Sequence, residues 1–175
     1  MLLHLLIGQR HEAYPGQYGI EDLGAMTEYD AESNPEYLRD REAEMRGSGE
    51  FDRLSWISAE VDEDAVDARL ARADALAPGG LDAPAGGVGF RVLFGRRRGS
   101  YPGEFGLEAV ASMDEYGLDG NPDYLTEQAD AAVDSGEYAV LGFVDLSLEL
   151  APVRAILYPE ARPLAATLID TGVSA

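Results

Sequence analysis

The sequence predicts an α+β fold built as a tandem duplication of one β-α-α-β unit. About four main strands, with helices packed on one side, are expected around a pseudo-two-fold axis. Three observations predict this: an ungapped internal repeat at a spacing of 87 residues, a short apolar run opening each copy, and Asn-Pro helix starts at matching positions.

Sliding the chain by 87 aligns Tyr14-Pro15-Gly16 with Tyr101-Pro102-Gly103, and Gly19 and Glu21 with Gly106 and Glu108. The same shift pairs Met26, Glu28 and Tyr29 with Met113, Glu115 and Tyr116, and Asn34-Pro35 with Asn121-Pro122. It also pairs Tyr37-Leu38 with Tyr124-Leu125, and Ser48-Gly49-Glu50 with Ser135-Gly136-Glu137. Together with Leu54 and Leu141 these make 16 identities over the 43 positions from Tyr14 to Trp56. The expected organisation is a unit at 1–76, a Gly/Pro/Ala linker at 77–87 and a second unit at 88–175, with fusion into one domain as the alternative.

The elements follow in order. Residues 2–8 and 89–95 are short and apolar, as buried strands are. Ile20, Leu23, Met26 and Tyr29 recur at steps of three, as do Leu107, Val110, Met113 and Tyr116, which predicts a first helix in each copy. Asn34-Pro35-Glu36 and Asn121-Pro122-Asp123 predict a second helix, with Asn as cap, Pro in the first turn and an acid at the positive end of the dipole. That helix is expected to stop near Arg46 and Val133, before Gly49 and Gly136. Strands follow at about 51–61 and 137–148, where the apolar parity changes near Trp56 and Phe143; burial on both faces or a bulge would explain it. Residues 62–76 are expected to form an acidic amphipathic helix with Val66, Leu70 and Ala73 inward, and the matching segment, 151–163, is less polar.

Charge is the strongest compositional signal. Thirteen cations, all arginine, face 33 acids for a net charge of −20. Residues 1–87 hold 7 Arg against 19 acids and residues 88–175 hold 6 against 14, so both halves are acidic. Such a field repels nucleic acid and anionic membranes and favours a basic protein surface. The absence of lysine suits a high-GC genome, a phage or a salt-loving organism. No cysteine is present, which excludes disulfides, thiolate metal sites and a cysteine nucleophile. No apolar run is long enough to span a bilayer, no signal peptide is evident at the N-terminus, and a cytoplasmic location is expected.

Candidate binding residues come from what the copies share. Tyr14, Tyr18, Tyr101 and Phe105 surround the shared Tyr-Pro-Gly turn and suit either a packed loop or an aromatic lip for a small ligand. Glu21 and Glu108 add a carboxylate to each lip. Arg96, Arg97 and Arg98 form the one basic run, which suits an anion or partner contact, or neutralisation of nearby acids. His4 and His11 fall on Arg91 and Arg98, so the repeat does not keep them. No HExxH, GxSxG or phosphate-loop motif occurs, and no catalytic residue, metal or cofactor is expected.

The expected function is therefore that of a non-enzymatic acidic binding or regulatory protein. Its sharper form is a phage-encoded inhibitor or DNA mimic that occupies a basic host protein surface. Acids in two rows at phosphate-like spacing favour mimicry, and evenly scattered acids favour salt adaptation. The alternatives are a small-ligand-binding protein, or a hydrolase or transferase with a site between the repeats.

Overall fold

Leu3, Leu5 and Ile7 on one strand, and Phe90, Val92 and Phe94 on another, are fully buried on a single shared face. These two strands are the centres of two antiparallel sheets in an α+β fold. The computed structural model describes residues 1–11, 19–77, 79, 81, 86–99, 106–159 and 172–174. Within them the first sheet has the order β2-β1-β3, from β1 (Leu2–Arg10), β2 (Ile20–Thr27) and β3 (Phe51–Glu60). The second has the order β5-β4-β6-β7, from β4 (Gly87–Arg97), β5 (Glu108–Asp114), β6 (Tyr138–Glu149) and the three-residue β7 (Gly172–Ser174).

Six helices complete the described chain: α1 (Glu28–Ser33), α2 (Pro35–Ser48), α3 (Glu63–Leu70), α4 (Glu115–Gly120), α5 (Tyr124–Ser135) and α6 (Leu150–Leu157). The order β-β-α-α-β-α thus occurs twice. The β1–β2 register shifts between Leu6 and Ile7, and the β4–β5 register shifts 87 residues later, between Leu93 and Phe94.

The expected four main strands become six, plus β7. Residues 20–27 and 108–114 are strands, and only the short α1 and α4 remain of the predicted first helices. Steps of three across a short apolar segment fit either structure, and tertiary pairing decides: β2 and β5 hydrogen-bond to the otherwise open edges of β1 and β4. The helix starts only where a cap appears. Thr27 and Asp30 form a capping box, and Asp114 accepts from the Gly117 N–H. Asn34 precedes α2 but makes no side-chain cap bond, and the cap position of α5 is Asp123. Gly49 and Gly136 end α2 and α5 with φ of 69°, the left-handed conformation that glycine adopts freely.

Helices cover both faces, not one. Val66 and Leu70 of α3, with Val153 and Leu157 of α6, join the main core formed by both sheets. The helix α3 packs on β6 and β4, whereas α6 packs on β3 as well as β6. On the opposite face Leu125, Ala129 and Ala132 of α5 close over Leu93, Leu141 and Phe143. The helix α2 buries no residue, and Leu38, at the position matching Leu125, is half-buried. Truncation of Leu125 to Ala is expected to cost about 2 kcal/mol, and Leu38→Ala under about 1 kcal/mol, in urea unfolding. Equal losses would show that α2 is packed as firmly as α5.

Among the described residues one arginine is buried. Arg91, 7% exposed, holds Asp145 through two bonds of 2.6 and 2.9 Å, donates to the Gly79 carbonyl and lies over the Phe143 ring. Of the expected linker, residues 78, 80 and 82–85 lie outside the described residues.

Candidate functional site

The edges of β2 and β5 meet without a backbone ladder. Side chains bridge the seam instead: the Thr27 hydroxyl donates to the Leu107 carbonyl at 2.6 Å, the Ala109 N–H to Asp30 at 3.0 Å, and the Asp22 N–H to Asp114 at 2.7 Å. Each capping carboxylate, Asp30 of α1 and Asp114 of α4, therefore also satisfies a backbone N–H on the opposite edge strand. Over this seam lies a groove of about 1380 Å³, walled by α1 and α2 on one side and α4 and α5 on the other.

The seam is closed by a reciprocal exchange. A Cβ on Gly106 would fall 2.0 Å from the Tyr29 ring, and one on Gly19 would fall 2.3 Å from the Tyr116 ring. Tyr29 of α1 thus lies on Gly106, just before β5, and Tyr116 of α4 lies on Gly19, just before β2. The two sides differ in anchoring. Tyr29 donates to Glu63 at 2.8 Å, and Glu63 is held by Arg96 at 3.0 Å, whereas Tyr116 is 44% exposed.

Glu21 and Glu108 both line the groove, each fixed by an arginine. Arg10 binds Glu21 at 2.7 Å and Glu50 at 3.4 Å and lies over Phe51. Arg97 binds Glu108 at 2.8 Å and Glu137 at 2.9 Å and lies over Tyr138. Every member of the second group is 87 residues beyond its counterpart. Of the basic run, Arg96 joins Asp67 and Glu63, and Arg98 donates to the Tyr138 carbonyl at 2.9 Å. Tyr14, Tyr18, Tyr101 and Phe105 lie outside the described residues. His4 contacts Ser58, His11 contacts Asp52 and Gly49, and neither lines the groove.

Two features were not singled out from the sequence. The first is an acid pair in the groove lining. Asp114 is buried, and Asp22 Oδ2 is closed off from water without a hydrogen-bond partner among the described residues. Burial raises the Asp22 pKa to about 6, aided by the nearby Asp114 charge, while Ser112, the Gly24 N–H and Arg41 act in the opposite direction. The shift-87 comparison hides this pair, since Asp22 falls on Ala109 and Asp114 on Thr27.

The second is the pattern of acids along the groove's outer helices. Exposed Asp123, Glu127, Asp130 and Asp134 recur at steps of four, three and four along α5, one face of the helix at about 5–6 Å intervals. Among the described residues none of them makes an ion pair, and α5 contains no basic residue. Glu36, Asp40 and Glu44 form a similar row on α2, but there Arg39 and Arg41 pair with Glu36 and Glu44. This spacing was legible in the sequence.

Among the described residues no three His, Asp or Glu side chains are grouped to hold a metal ion, and no helix is long and apolar enough to cross a membrane. Comparison with family models, curated proteins and solved structures returns no match.

Proposed function

We propose that the chain is an acidic binding protein that presents the α5 side of its groove to the nucleic-acid-binding surface of a basic protein in the cytoplasm. Inhibition by DNA mimicry, as a phage-encoded antagonist would exert it, is the specific form of this reading. The observation that carries it is the unpaired row Asp123, Glu127, Asp130 and Asp134. Like charges at i,i+4 destabilise a helix, and acids in its last turns oppose the dipole. Asp123 and Glu127 sit at the first turn, where the dipole favours acids, so the cost of the row is the repulsion among its members and the place of Asp134 in the last turn, which a cationic partner relieves. Its concentration on one flank, while the α2 acids are interleaved with arginines, is not what uniform salt adaptation produces. A duplicated unit turned about a two-fold axis accounts for the exchanged Tyr–Gly contacts and for two acidic helices beside one groove.

The test immobilises the chain and applies host lysate at about 50 and about 500 mM salt, with and without duplex DNA as competitor. Basic nucleic-acid-binding proteins should be retained at low salt and displaced by DNA. The variant Asp123→Asn/Glu127→Gln/Asp130→Asn/Asp134→Asn should retain them roughly tenfold less. Retention that ignores salt and DNA, or survives in the variant, would sink the reading. The groove itself favours a second reading, in which a small ligand sits between the two units.

A further inference from the structure

We propose that the groove takes arginine side chains of its partner, seating guanidinium groups against Tyr37 and Tyr116 and directing one toward Asp22 and Asp114 in the floor. This rests on the proposed function and names the chemistry that the partner must carry.

Two observations independent of the α5 row point to a cation. Tyr37 and Tyr116, 40% and 44% exposed, are among the few large side chains with apolar surface left open, and both line the groove together with Glu32 and Asp119. An aromatic face beside carboxylates attracts cations. In the floor, Asp114 accepts from the Asp22 and Gly117 N–H groups and Asp22 Oδ1 from the Gly24 N–H, which leaves the second Asp22 oxygen to consider. Arg41 is the groove cation that acts on Asp22, but its Nε is committed to the Leu23 carbonyl and its Nη1 to Glu44. Among the described residues, Asp22 Oδ2 is left without a partner. A buried carboxylate oxygen without a donor is a costly feature of a fold. A guanidinium supplies five donors in a planar fork matched to carboxylates; an ammonium is a compact, strongly hydrated charge that stacks less well.

The chain's own arginines show the same arrangement already filled. Arg10 lies over Phe51 and binds Glu21, Arg97 lies over Tyr138 and binds Glu108, and Arg91 lies over Phe143 and binds Asp145. In the groove, Tyr37, Tyr116 and the Asp22–Asp114 pair supply rings and carboxylates to a partner's arginines.

The probe is a fluorescently labelled hexa-arginine peptide, with hexa-lysine as a control of equal charge, titrated by anisotropy at about 150 mM salt. Hexa-arginine should bind about tenfold more tightly than hexa-lysine. Tyr37→Ala/Tyr116→Ala should remove that preference, weakening hexa-arginine far more than hexa-lysine. Asp22→Asn should weaken hexa-arginine several-fold and abolish a strengthening as pH rises from about 5 to about 7.5, the range in which Asp22 loses its proton among Asp114, Ser112, Gly24 and Arg41. Equal affinity for both peptides, or a preference untouched by the Tyr37/Tyr116 and Asp22 substitutions, overturns the inference. If both peptides bind equally and the α5 variant weakens both, the proposed function stands without it. If neither binds more tightly to the wild-type chain than to the α5 variant, both fall.

Discussion

Gly106→Ala is expected to destabilise the chain by about 3 kcal/mol and Gly19→Ala by about 1 kcal/mol, although the two glycines occupy matching places. The added methyl would meet a tyrosine ring at 2.0 Å in the first case and 2.3 Å in the second, so something must move in both. What differs is the freedom of the ring. The Tyr29 hydroxyl is tied to Glu63, which is held by Arg96, itself held by Asp67 at 2.7 Å. Displacing Tyr29 breaks this network, which links α1, α3 and β4. Tyr116 is partly in solvent, and among the described residues its hydroxyl has no partner to lose. Urea unfolding of both variants checks this, and equal losses would contradict it. A double-mutant cycle adds a second check: Tyr29→Ala should cost less in the Gly106→Ala background than in the wild type, because the clash goes with the ring.

Those glycines and tyrosines mark where sequence reasoning succeeded and where it stopped. The 87-residue comparison identified Gly19, Gly106, Tyr29 and Tyr116 as retained, because identity is a one-dimensional property. What the structure adds, the Tyr29 ring on Gly106 and the Tyr116 ring on Gly19, is contact between segments roughly 80–100 residues apart, and no local pattern encodes it. Strands β1, β3, β4 and β6 and the glycine stops of α2 and α5 were legible because apolar runs and left-handed caps are local features. Residues 20–27 misled because Ile20, Leu23 and Met26 suit a helical stripe, while their extended form depends on hydrogen bonds to β1. Glu21 and Glu108 were expected at a ligand lip. They do line the groove, but Arg10 and Arg97 hold them, which links their retention to Glu50 and Glu137 as well. Asp22 was invisible to the comparison, as its counterpart is Ala109.

Asp22→Asn is expected to stabilise the free chain by about 3 kcal/mol at pH 8, with the gain shrinking toward zero as the pH falls to about 4. The folded carboxyl, with a pKa raised to about 6 from an ordinary 3.8, binds its proton more tightly than the unfolded one. Stability contributed by that proton is fully present below about pH 4, is lost as the pH rises toward 6, and stays lost above it. An Asn side chain carries no charge for burial or the Asp114 carboxylate to disfavour. Urea unfolding of both proteins from pH 4.5 to 8 measures the difference directly, and a gain independent of pH would refute the assignment of the charge as the cause. The same substitution is expected to weaken hexa-arginine binding, so Asp22 should favour the complex at the expense of the free fold. A residue that serves only packing would shift stability and binding in the same direction. Opposite signs from one substitution are what separates a site held ready for a partner from a defect in the seam.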